Sequence, residues 1–186
     1  APSEMCIRDR ENITWADNRA SRYADLIEND HNGFDIYHRT GTPLHPMSPL
    51  SKIFWMKHEQ PEIYNQTAKF ADIKTYIFYQ LFEKYIIDYS MASATGMFNL
   101  EQLDWDEEAL ELLGITREQL PELVPTTHIL KGMKKRYATL MDIDENTPVI
   151  VGASDGVLSN LGVNSYKNGE VAVTIGTSGA IRTVID

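Results

Sequence analysis

The chain has 186 residues, of which 42% are hydrophobic and 24% charged, and its formal net charge is −10. That length holds one domain, or one and part of another, around a real core. The acid excess, with no basic stripe, excludes a nucleic-acid partner. The single cysteine, Cys6, excludes an internal disulfide and fits a reducing compartment. No apolar run reaches the roughly twenty residues that cross a bilayer, so no membrane partner is expected and the cytoplasm is the expected location.

Residues 1 to 10 have no periodicity, and residues 1–12 are expected to be foreign or disordered. A helix is predicted over residues 17 to 29, with Ala20, Tyr23, Ala24 and Ile27 on one face and Asn32-Gly33 as its stop. A shorter helical piece runs from Phe34 to Thr40 and ends at Gly41. In the proline-studded loop that follows, Ser48 is a predicted N-cap with Pro49 in the first helical position. The helix it opens carries Ile53, Phe54 and Trp55, read as core, and Pro61 marks its end. Residues 72 to 82 form another apolar helix, and Tyr85–Asp88 a short strand. Ser90 to Gly96 is small and polar. Asp104 with Glu107 resembles a capping box, opening a helix that Gly114 closes. Thr116 is expected to cap a short turn before Pro121.

From Pro148 the pattern changes from helical period to buried strands, which places a domain boundary near Asn146. Val149–Val151 is a strand pattern ending in the small-residue turn Gly152-Ala-Ser-Asp155-Gly156. A second strand pattern, Val171–Ile175, ends in Gly176-Thr177-Ser178-Gly179 and feeds a third. This final strand pattern, running to Asp186 with nothing to cover it, suggests an internal piece of a longer enzyme.

Three groups of residues could carry chemistry. Asp155 stands where a helix begins, so its carboxylate meets the positive end of the helix dipole and could accept a proton from a substrate hydroxyl. The same residue could equally be a plain capping aspartate in a strand-to-helix turn. Gly176, Thr177, Ser178 and Gly179 could form an anion nest of backbone N–H groups and hydroxyls, or an ordinary hairpin loop. A carboxylate and a phosphate cradle would then sit at the ends of neighbouring strands, a geometry suited to phosphoryl transfer. Trp15, Asp17 and Arg19 lie within five residues and could read a polyol: a ring for its carbon–hydrogen faces, polar groups for its hydroxyls or a carboxylate. They could also be an anchoring tryptophan beside an acid-capped helix start. His45 and Met47 could line a pocket from their loop. The histidines show no ligand spacing with acids or with Cys6, so no protein-built metal site is expected.

At these residues the chain resembles the FGGY carbohydrate kinases. Thr14-Trp-Ala-Asp-Asn-Arg-Ala20 looks like the family's substrate-contacting tryptophan segment. Met47-Ser-Pro-Leu-Ser-Lys52-Ile-Phe-Trp55 is similar to a signature whose first position faces the sugar, and Asp88-Tyr-Ser-Met-Ala-Ser93-Ala-Thr-Gly96 with Asp104-Trp105 resembles another shared block. Gly152–Gly156 corresponds to the segment of the catalytic aspartate, and Thr174–Gly179 to a loop on the ATP phosphates. Within the family, the wording of residues 41–49 and 154–162 is most similar to the gluconate kinases.

The resemblance implies an α/β fold of the actin and hexokinase (ribonuclease H-like) type, built from two domains. Residues 13–146 would be the latter part of the sugar-binding domain, and 147–186 the opening βαββ of the second. It implies ATP with Mg2+ as phosphoryl donor and gluconate as acceptor. Asp155 would be the base, with Trp15, Asp17, Arg19, Met47 and Gly156 on the sugar and Gly176–Gly179 on the phosphates. A homodimer is allowed for the full-length enzyme. The family's first phosphate loop is missing, so these residues alone are expected not to turn over. The alternatives are a kinase for another polyol or ketose, such as xylulose or glycerol, and a non-catalytic sugar-binding relative.

Overall fold

Three helix starts in the first half of the chain are fixed by side chains, Ser48, Asp72 and Asp88, that take up otherwise unpaired backbone N–H groups. The computed structural model describes residues 13–176 and 179–185; the segment 1–12, Thr177, Ser178 and Asp186 lie outside them. The chain divides into two units, Ala1–Val151 and Gly152–Asp186.

In the first unit, helix α1 (Ser21–Asp30) buries Tyr23, Ala24 and Ile27, and α2 (Gly33–Thr40) ends on Gly41 at φ 67°. The expected helix start at residue 17 falls instead at Ser21, because residues 14 to 17 close a turn in which the Asp17 N–H donates to the Thr14 carbonyl. Helix α3 (Pro49–Glu59) begins as read: Ser48 accepts from the Ser51 N–H and Pro49 fills the first position. Pro61 both follows the end of α3 and opens a further helix, α4 (Pro61–Gln66). Helix α5 (Ile73–Phe82) is capped by Asp72, which accepts from the Thr75 N–H.

Strand β1 (Ile86–Asp88) leads into α6 (Tyr89–Ser93), capped by Asp88 where only a small polar run was apparent. Strands β2 (Phe98–Asn99) and β3 (Asp104–Trp105) pair antiparallel before α7 (Glu107–Leu113). The cap of α7 is Asp106 rather than Asp104. Asp106 accepts from the Ala109 N–H, while Asp104 lies in β3 and pairs with Arg117. Thr116 opens a 3-10 turn, Arg117–Gln119, and donates its N–H to the Gln119 side chain. Strand β4 (Glu122–Val124) pairs parallel to β1. Strand β5 (Ile129–Leu130), helix α8 (Lys135–Met141) and strand β6 (Val149–Ile150) follow.

The pair β1–β4 separates two apolar cores, because successive strand residues face opposite ways. Ile87 joins a core with Ile27, Leu50, Phe54, Phe98 and Leu113, whereas Ile86 and Val124 join Phe78, Phe82 and Leu130 in another. Each fully buried side chain of this size contributes about 1.5–3 kcal/mol of transfer free energy.

The second unit contains α9 (Asp155–Gly162) and the antiparallel pair β7 (Val171–Ile175) and β8 (Gly179–Thr183). The expected order strand, helix, strand, strand is present. In the first unit, β6 pairs with β5, and the Val151 N–H donates to the His128 carbonyl.

Candidate active site

In the first unit the segment Thr14–Arg19 is tied by a ladder of polar contacts. Asp17 Oδ1 accepts from the Arg19 amide and from its Nε, both at 2.9 Å. Asp17 Oδ2 takes Arg19 Nε at 2.8 Å and Nη2 at 2.6 Å. The guanidinium lies over the Trp55 ring, 5.1 Å from its centroid. The Thr14 carbonyl accepts from Lys52 Nζ at 2.6 Å. The Arg19 side chain, and then its amide, hold the Asp17 carboxyl below its ordinary value. Burial pushes the Lys52 ammonium down, Asp17 pulls it back and Arg19 depresses it further.

Trp15, at 75% exposure, offers its ring to solvent beside this ladder. That is unusual for a residue of its size, and it gives a sugar a flat surface to stack on. Met47 stands two residues before α3, half exposed; its N–H donates to the His45 ring. It takes no part in the hydrogen bonds of the Thr14–Arg19 ladder. A surface hollow lined by Lys69, Tyr85, Trp105 and Arg117 contains none of the expected site residues.

In the second unit Asp155 is the first residue of α9 and exposed, its Oδ1 accepting from the Gly156 N–H at 2.6 Å. A carboxylate so placed is accessible to a substrate hydroxyl. Gly156 matters for its missing side chain: a Cβ there would lie 3.1 Å from Arg182 Nε. Arg182 reaches across from β8 and donates through Nη1 to Thr174 Oγ1 at 3.4 Å. Thr174 and Arg182 lie on one face of the β7–β8 pair, since Thr174 opposes Ala180 and Ala172 opposes Arg182. Gly176 and Gly179 bracket the hairpin turn, with Gly179 opposite Ile175. Thr177 and Ser178, expected on the phosphates, fall outside the described residues.

Asp155 was expected to share neighbouring strand ends with the glycine-flanked loop. The described strand β6 pairs with β5, and the hairpin belongs to the second unit. Within the second unit, Arg182 of β8 lies beside Gly156 and donates to Thr174 of β7. Sequence reasoning passed over Arg182, which two-residue alternation from Ala180 would have placed on the same face. It also read Trp55 as core alone. The ring is buried, and it carries Arg19 as well.

Among the described residues no three His, Cys, Asp or Glu side chains are grouped to hold a metal ion, and no helix is long and apolar enough to cross a membrane.

The chain belongs to the FGGY family of carbohydrate kinases; the model of that family's N-terminal domain matches residues 10–162. It is 60% identical over 174 residues to the gluconokinase of Bacillus subtilis (strain 168), covering 94% of this chain and 34% of that protein. It thus spans about a third of the length of the relatives it matches. Among solved structures, the gluconate kinase of Lactobacillus acidophilus superposes with a TM-score of 0.90 at 42% identity, covering 94% of this chain and 35% of that one. A ligand-bound xylulose kinase from the same organism gives 0.89 at 43% identity, covering 92% and 35%. The fold is therefore that of the FGGY sugar kinases, the actin and hexokinase type.

Proposed function

We propose that the whole protein carrying this chain is an ATP-dependent gluconate kinase that makes 6-phosphogluconate. The observation that carries the substrate is the 60% identity to a protein named gluconokinase, against 33% to glycerol kinase 2 of Saccharolobus solfataricus. Residues 13–146 belong to the sugar-binding domain, and residues 147–186 open the catalytic one.

In this reading Trp15 stacks on the carbon chain of the sugar acid. Arg19, fixed by Asp17 and Trp55, faces its polar groups, and Met47 and Gly156 complete the acceptor site. Asp155 accepts the proton of the terminal hydroxyl. The freed oxygen pair attacks the γ-phosphorus, and the bond to the bridging oxygen breaks to release ADP. Gly176, Thr177, Ser178 and Gly179 hold phosphate oxygens through backbone N–H groups and hydroxyls. Bound to the nucleotide, Mg2+ would offset phosphate charge. The enzyme works in the cytoplasm.

A ketose kinase is the competing reading, favoured by the equal structural likeness of the xylulose kinase. Comparing kcat/KM for gluconate, xylulose and glycerol on the full-length enzyme separates the two. Gluconate should lead by at least about a hundredfold, the discrimination expected of a site built for a charged group. A lead for xylulose overturns the substrate assignment.

A further inference from the structure

Lys52 is the buried cation that the proposed chemistry leaves without a task. It is only 8% exposed, on a helix otherwise packed into the core. A buried ammonium needs a partner to offset its lost hydration. The acceptor here is a backbone carbonyl of the proposed sugar segment, Thr14, at 2.6 Å. That carbonyl also receives the Asp17 N–H at 3.2 Å and so closes the turn on which Trp15 stands.

Three residues further along α3, Trp55 presents its ring under Arg19. Residues at i and i+3 of a helix lie on one face. Lys52 therefore grips the start of the segment while Trp55 carries its end, with Asp17 cross-linking the two through the Arg19 amide and guanidinium. This accounts physically for a lysine and a tryptophan three positions apart.

We propose that Lys52 and Trp55 are positioning residues that hold the Thr14–Arg19 turn in its sugar-binding form, and so set the affinity for the acceptor without touching it. The proposal rests on the reading of Thr14–Arg19 as the acceptor site. It concerns binding alone: the ATP site and the proton transfer to Asp155 do not depend on Lys52.

Two measurements on Lys52→Met and Lys52→Arg test it. The first, on this chain, is amide hydrogen exchange by NMR, taken on the folded monomer fraction. In Lys52→Met, which keeps the apolar stem and loses the donor, the Asp17 and Arg19 amides should exchange faster by about tenfold or more, as for a lost hydrogen bond to a charged group. The α3 amides should hold, and Lys52→Arg should stay within about threefold of the parent because it keeps a charged donor. Unchanged exchange at Asp17 and Arg19 overturns the clamp, whatever the substrate.

The second is steady-state kinetics of the full-length kinase. Lys52→Met should raise KM for gluconate about tenfold with KM for ATP unchanged and kcat little affected, the pattern of lost acceptor binding. A gluconate KM that stays put while exchange quickens overturns the positioning role. An enzyme that turns over xylulose alone, with the xylulose KM raised by Lys52→Met, upholds the clamp and sinks the gluconate reading.

Discussion

Arg39 closes on the buried carboxylate of Asp106 across 67 residues of chain, its Nε 2.7 Å from Oδ2. Asp106 is 2% exposed and also accepts from the Ala109 N–H and the Asn99 side-chain amide, so one carboxylate joins α2, α7 and the β2–β3 pair. Removing the Arg39 cation leaves a buried charge unpaired. Arg39→Met should therefore lower stability by about 3 kcal/mol, toward the low end for a broken buried pair because Arg39 keeps some solvent contact. Urea unfolding followed by tryptophan fluorescence reads this, and a loss below about 1 kcal/mol, the value of a surface pair, would refute it.

The same pair predicts a pH dependence. Burial pushes the Asp106 carboxyl up, but Arg39, the Ala109 amide and Asn99 outweigh it and hold the group below its ordinary value. A carboxyl depressed in the folded state contributes stability that is present above its unfolded value, about pH 4, and is lost as pH falls through the folded value. The melting temperature of the parent should therefore fall on acidification below about pH 4 more steeply than that of Asp106→Asn. Parallel melting curves for the two proteins from neutral pH to about pH 3 would contradict this.

Gly33, at the corner between α1 and α2, has no room for a methyl group. A Cβ there would meet Leu44 Cδ1 at 2.3 Å, the Glu28 Cα at 2.6 Å and the Ile27 carbonyl oxygen at 2.7 Å. Two of these are backbone, so the corner itself must open. Gly33→Ala should destabilise by about 3 kcal/mol, the upper range for overpacking. Denaturant titration that places the variant within about 0.5 kcal/mol of the parent, as for an ordinary surface change, would show that the corner yields.

Gly156 offers the opposite case. The nearest group to an added Cβ is the far end of the Arg182 side chain, which can swing aside. Gly156→Ala should keep or slightly raise stability, since alanine gains up to about 1 kcal/mol over glycine in a helix. It fills the space beside Asp155, so kcat/KM of the full-length enzyme should fall by about tenfold, the order expected when an acceptor is displaced slightly. Full activity in the variant would remove Gly156 from the acceptor site.

Trp15→Ala tests the sugar platform in the same way. Because the ring is mostly exposed, stability should change by less than about 0.5 kcal/mol. KM for gluconate should rise with kcat nearly constant, as when uniform binding is removed. An unchanged KM would take Trp15 out of the site.

What the sequence disclosed, and what it hid, follows from the range of the interactions. The Ser48-Pro49 start, the Gly41 and Gly114 stops and the helix beginning at Asp155 were legible, because each depends on hydrogen bonds within a few residues. The cap of α7 was misplaced by two residues: Asp104-x-x-Glu107 fits a capping template as well as Asp106-x-x-Ala109 fits the observed cap. Only the pairing of β3 with β2 decides between them. Helices α4 and α6 lay in segments without a clear apolar stripe, and α8 was not foreseen at all. The partner of β6 could not be read, because it lies some twenty residues upstream in a strand of two residues. In the candidate site, the Asp17–Arg19 pairing was legible from its two-residue spacing. The grip of Lys52 on Thr14 spans 38 residues and exists only once α3 packs beneath that segment.

The most direct test of the central claim is ADP release by the full-length kinase with gluconate and ATP, measured beside Asp155→Asn. Asparagine keeps an oxygen to accept the Gly156 N–H, so α9 should start unchanged while the proton acceptor is lost. The parent should turn over gluconate clearly, and the variant's kcat should fall by about 10²- to 10⁴-fold, the usual contribution of a general base. Turnover by the variant within a few-fold of the parent, or a parent that leaves gluconate untouched, would contradict it.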